Sequence, residues 1–143
     1  MNLYQRTQYT NTTLMALLLF GWLPIVLLFG LRGAGGSLRF LALPAALMAV
    51  FFFGFRSLMV TVTTTEVQLA YTSGWPTKTI ERASIVSAEP FRLPWWYGVG
   101  IRLTPKGWMW SVWGYDTVLL NLSDGSGFLI GTDDPEGLTA ALR

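Results

Sequence analysis

The stretch MVTVTTTEVQLAY, residues 59–71, alternates: Val60, Val62, Val67, Leu69 and Tyr71 are apolar, and Thr61, Thr63, Glu66, Gln68 and Ala70 fall between them. Successive side chains of an extended strand point to opposite faces, so a period of two sets an apolar face against a polar one. The run therefore reads as a β-hairpin turning near Thr64 and Thr65. C-terminal to it, a Gly74-Trp75-Pro76 turn leads into a strand through Ile80, Ile85 and Val86, whose irregular apolar spacing implies a bend or bulge. Ile101 and Leu103 alternate with Arg102 and Thr104, and Pro105-Lys106-Gly107 turns into Trp108, Trp110 and Val112. Val118, Leu120 and Leu122 follow, and an Asp124-Gly125 turn brings in Phe128 and Ile130. This gives seven strands. Asp133 and Glu136 have the spacing of a capping box, with Pro135 in the first turn, so a C-terminal helix is expected from about residue 133.

N-terminal to the hairpin the period is lost and the chain becomes apolar. Residues 14–31 form an unbroken apolar run of 18, about 27 Å long as a helix, against a hydrocarbon core of about 30 Å. A second run, 40–55, is slightly short and is completed if Arg56 snorkels and Leu58, Met59 and Val60 extend it. The reading is a transmembrane helical hairpin (about 14–31 and 40–57) closed by the connector 32–39. Ala42, Ala45, Ala46 and Ala49 would form its contact face, since small residues let helix backbones approach. A signal peptide is the competing reading of the first run, weakened by its length and by the second run behind it. The expected organisation is a polar N-terminal segment 1–13, the hairpin 14–58 and a β domain 59–143.

Composition agrees with that reading: 52% of the 143 residues are hydrophobic, 13% are charged, and mean hydropathy is +0.44. Residues 1–56 carry Arg6, Arg32, Arg39 and Arg56 with no acid, whereas the remainder carries six basic and eight acidic side chains. These arginines flank apolar runs and are not clustered, which argues against nucleic acid as a partner. Both positive-inside counts are nearly equal, so charge does not orient the hairpin.

Cysteine and histidine are both absent, which removes thiolate nucleophiles, Cys/His metal sites and the commonest general base at neutral pH. Asp133, Asp134 and Glu136 are the one carboxylate cluster, and helix capping accounts for them without a metal. Gly98-Val99-Gly100 has neither the third glycine nor the helix of a dinucleotide loop. Ser123 and Ser126 have no histidine to activate them. No catalytic residue, cofactor or metal is expected.

Aromatic residues carry more information. Six of the seven tryptophans lie beyond residue 59. Trp108 and Trp110, at alternate positions of one strand, are expected to be buried. Phe91, Arg92, Trp95, Trp96 and Tyr97 lie in a proline-bracketed segment in which adjacent indoles would point to opposite sides if extended. That segment is the candidate contact surface for a protein partner or for lipid headgroups, the alternative being that it covers an open barrel edge.

Two spans, seven strands and a terminal helix, with the local signatures YGVGIRLTPKG at 97–107 and IGTDDPE at 130–136, resemble the bacterial membrane-anchored pleckstrin-homology-like proteins. The resemblance implies an α+β membrane protein. Its two-helix transmembrane hairpin would be followed by a pleckstrin-homology-like, seven-stranded, antiparallel, partly open barrel with a C-terminal helix. It would be a multi-pass protein of the bacterial cytoplasmic (inner) membrane with the β domain in the cytoplasm. Phosphoinositide binding does not carry over, because the first hairpin turn is Thr63-Thr64-Thr65-Glu66. The expected function is non-enzymatic: binding and positioning a membrane protein partner in contact with membrane lipids, with homo-oligomerisation open. Lipid or envelope-ligand sensing is the alternative.

Overall fold

The computed structural model of the chain describes residues 2–21, 24 and 39–143. Strands β2 (Ser57–Thr63) and β3 (Glu66–Tyr71) form the hairpin that the alternation implies, with Val62 opposite Val67 and Leu58 opposite Tyr71. The Thr63 hydroxyl accepts from the Glu66 N–H at 3.0 Å and ties the turn together. Strand β4 (Thr77–Glu81) adds to β3, and β1 (Asn2–Tyr9) adds to the far side of β2, giving a four-stranded sheet β1-β2-β3-β4. A second sheet holds β5 (Ile85–Arg92), β6 (Gly100–Thr104), β7 (Gly107–Ser111), β8 (Asp116–Leu122) and β9 (Gly127–Gly131) in the order β5-β8-β9-β7-β6. Strands β7 and β9 run parallel. Their starts come so close that a Cβ on Gly107 would strike the Gly127 backbone, and one on Gly127 would strike the carbonyl of Lys106.

Both sheets turn their apolar faces to one core, in which Leu58, Val62, Val67 and Leu69 meet Trp110, Val118, Leu120 and Ile130. Three helices complete the described structure: α1 (Thr12–Phe20), α2 (Arg39–Gly54) and α3 (Pro135–Leu142). Helix α3 packs on β5 and β8, reaches β1, and places Leu138 and Leu142 in the core. Its N-cap is Asp134, one residue later than the capping-box spacing implies, and Asp134 Oδ1 accepts from the Gly137 N–H at 3.0 Å. A Cβ at 137 would meet that carboxylate and force it to shift from its capping position.

Three expectations are overturned. The transmembrane hairpin fails on length: α1 has nine residues and α2 has 16, and among the described residues no helix is long and apolar enough to cross a membrane. Residues that were to lengthen the second span go elsewhere, since Leu58 and Val60 are buried core positions of β2. Residues 22–23 and 25–38 of the expected first span and connector lie outside the described residues. With no spanning helix among the described residues, the expected placement as a multi-pass inner-membrane protein is overturned as well. Finally, the described residues form nine strands in two sheets with one parallel pair, in place of a seven-stranded antiparallel barrel. The polar residues 2–9 make an edge strand with almost no apolar face, and the bent strand at 80–86 divides into β4 and β5 at a 3₁₀ turn, Arg82–Ser84.

Candidate functional site

Strands β5 and β6 are opposite edges of the five-stranded sheet, so the connection 93–99 must cross that sheet's outer face. Three bonds fix its course. The Leu93 N–H donates to the Tyr115 carbonyl at 2.6 Å, the Tyr97 N–H to the Pro94 carbonyl at 3.0 Å, and Arg102 Nη1 to the Tyr97 carbonyl at 3.0 Å. Pro94 caps a 3₁₀ turn, Trp95–Tyr97, and Gly98 leaves it with a left-handed φ of 66°. Leu93 is buried, and Phe91 and Tyr97 pack with it over Met109, Leu119 and Leu129 as a second, smaller core. Lys106 Nζ stands 5.8 Å from the Phe91 ring centroid.

The five residues singled out in this segment thus divide. Phe91 and Tyr97 are covering residues. Arg92 is exposed, and Trp95 and Trp96 keep 75% and 64% of their surface exposed, their rings edge to face at 5.9 Å. Because the segment turns and is not extended, both indoles face solvent.

No family model matches the chain, and neither a curated protein nor a solved structure does. The resemblance to pleckstrin-homology-like proteins therefore rests on turn and cap motifs alone.

The second surface lies between β4 and β6, the remaining edge strands of the two sheets. Pairing Ile101 with Trp110 and Leu103 with Trp108 puts all four side chains on the inner face of the β6–β7 hairpin. The first pair is covered by the core. The second extends past it, leaving Leu103 69% and Trp108 51% exposed, so the expectation that Trp108 is buried like Trp110 fails. Between the hairpin and β4 is an open groove of about 720 Å³, lined by Ile80, Ile101, Leu103, Trp108, Trp110 and Phe128. Lys78, Glu81 and Asp124 also line it. Bonds from the Ser126 hydroxyl (2.6 Å) and N–H (2.8 Å) hold the Asp124 carboxyl below its usual range, so this part of the lining stays anionic.

Sequence reasoning misses this groove because alternation assigns Leu103 and Trp108 to an inner face without showing how far the opposite sheet extends. The carboxylates of 133 and 134 are engaged otherwise. Asp133 accepts from Arg6 Nε at 2.9 Å and from Nη2 at 3.1 Å, and Asp134 accepts from the Tyr4 hydroxyl at 3.3 Å besides capping α3. Among the described residues no group of three or more His, Cys, Asp or Glu side chains is placed to hold a metal ion. The groove offers apolar contact and unpaired strand edges, and its hydroxyls, on Thr79, Ser84 and Ser126, have no histidine to activate them.

Proposed function

We propose that this protein is a non-catalytic binding module whose groove between β4 and β6 receives an extended apolar segment of a protein partner. The observation that carries the reading is the ledge formed by Leu103 and Trp108, large apolar side chains presented beside two sheet edges that, among the described residues, have no strand on their outer side. A free edge offers a row of backbone donors and acceptors, and alternate side chains of an added strand would meet the apolar lining. Tryptophan in a partly formed pocket is a strong anchor, and covering it removes apolar surface from water at roughly 25 cal/mol per Å².

A displayed library of random peptides, selected on the full chain, tests this. Enriched peptides should alternate apolar and polar residues, and Trp108→Ala should weaken them about tenfold or more. The variant Val86→Ala, which changes an exposed side chain outside the groove lining, should leave binding unchanged. Selected peptides that bind Trp108→Ala and Leu103→Asp as well as the parent would refute the assignment.

A further inference from the structure

The end of the sandwich from which α1 and α2 emerge brings together residues that are scattered along the chain. Tyr9 pairs with Ser57, and the Thr10 N–H donates to the Arg56 carbonyl at 2.9 Å, so β1 and β2 meet their helices at the same level. The Ser57 N–H donates to Thr72 Oγ1 at 2.7 Å, which brings in the turn 72–76 with Trp75. Gln8 Nε2 donates to the Trp113 carbonyl at 2.8 Å, which adds the turn 112–115 with Tyr115. The Leu93 bond to the Tyr115 carbonyl then brings Arg92, Trp95 and Trp96 to that end. Tyr9, Trp75, Trp95, Trp96 and Tyr115 are all exposed there.

Two further observations separate this end from an ordinary aromatic surface. The helices leaving it expose Leu17, Phe20, Val50 and Phe53. Between α2 and the Trp75 turn lies an open apolar groove of about 660 Å³, lined by Leu47, Val50, Phe53, Phe55 and Trp75. This end also exposes two arginines, Arg56 and Arg92, the latter opposite Asp116 on β8. Indole and phenol rings that carry an apolar body and a polar tip favour the headgroup level of a bilayer, and nearby arginines add attraction to anionic lipid.

We infer that this end of the protein docks on the surface of an anionic phospholipid bilayer, with the aromatic ring at headgroup level and the α2–Trp75 groove taking up acyl chain. Contact of this kind is with the bilayer surface and needs no helix that crosses it. The inference does not rest on the β4–β6 groove, whose lining includes none of Tyr9, Trp75, Trp95, Trp96 and Tyr115.

The test is sedimentation of the full chain with vesicles of phosphatidylcholine containing about 30% phosphatidylglycerol, with tryptophan quenching by brominated lipid as a second readout. Partitioning should fall about tenfold or more in the triple variant Trp75→Ala/Trp95→Ala/Trp96→Ala, and should also fall in Arg56→Glu/Arg92→Glu and in high salt. Both variants change exposed side chains, and an unaltered circular dichroism spectrum checks their folding. Brominated lipid should quench the parent and leave the residual tryptophans of the triple variant, Trp108 among them, largely unquenched. Three outcomes would each overturn the inference: no binding at any composition, binding that the triple variant retains in full, or retention on polyglutamate but not on vesicles. Groove peptides should bind the triple variant normally, which keeps failure here distinct from failure of the proposed function.

Discussion

The two open sides of the sandwich are built alike and finished differently. Each is bounded by one edge strand from each sheet, β1 and β5 on one side, β4 and β6 on the other. On the first side α3 closes the opening, Leu138 and Leu142 complete the core, and Arg6 with Tyr4 ties β1 to the start of the helix. On the second side no described element fills the opening, and Leu103 and Trp108 stay largely exposed on a face that elsewhere is covered. A side that the chain seals itself serves stability. A side that it leaves lined with apolar side chains, without the helix that closes its counterpart, has contact surface to spare for another molecule.

Truncation separates the two roles most sharply. Leu138→Ala, at a position with no exposed surface, should cost about 3 kcal/mol in chemical denaturation, whereas Leu103→Ala should change stability by less than about 0.5 kcal/mol while weakening groove binding. Equal costs at both positions would erase the distinction. Asp134→Ala comes next: loss of the cap bond to Gly137 should cost about 1 kcal/mol and loosen α3 without touching the β4–β6 groove. Faster amide exchange confined to residues 135–142 would show that the sealed side opens separately from the rest.

Much of the second side was legible in residues taken two at a time. Alternation in 59–71 sets the β2–β3 hairpin, and it puts Ile101 and Leu103 on one face of β6. Depth is what alternation lacks, because the number of covered residues depends on the length of the facing strand, and β4 has five residues. The N-terminal strand escaped for the opposite reason. Asn2–Tyr9 buries only Gln8, so its pairing rests on backbone bonds and on Arg6 reaching Asp133, 127 positions away. Apolar runs at 14–31 and 40–55 were plain in the sequence, but an apolar run does not state where a helix stops. Phe20 and Gly54 end α1 and α2, and pairing with β1 draws Ser57 and its successors into β2. In the segment 91–97 the sequence singled out five residues without separating them. The division between covering Phe91 and Tyr97 and exposed Trp95 and Trp96 needed the outer-face core of Met109, Leu119 and Leu129, which forms only once β7, β8 and β9 are side by side.

The smallest expected effect measures how deep the open side goes. Tyr71 packs against Trp110, the buried indole that lines the groove, with ring centroids 5.5 Å apart and planes tilted by 41°, and its hydroxyl donates to the Ser111 carbonyl at 3.3 Å. Burial pushes the phenol above its usual value of about 10, so the folded protein keeps this proton at a pH where the unfolded chain has released it. Stability from this group is then complete below about pH 10 and declines as pH rises toward the folded value. Tyr71→Phe removes one hydrogen bond, less than about 1 kcal/mol at neutral pH, and should flatten the alkaline decline. If water entered past Trp110, Tyr71 would titrate near its usual value of about 10 in the folded protein, and parent and variant would show parallel stability curves above that pH. A steeper decline in the parent, followed by the midpoint of urea denaturation between about pH 8 and about pH 11, places the limit of the groove at Trp110 and leaves the core behind it dry.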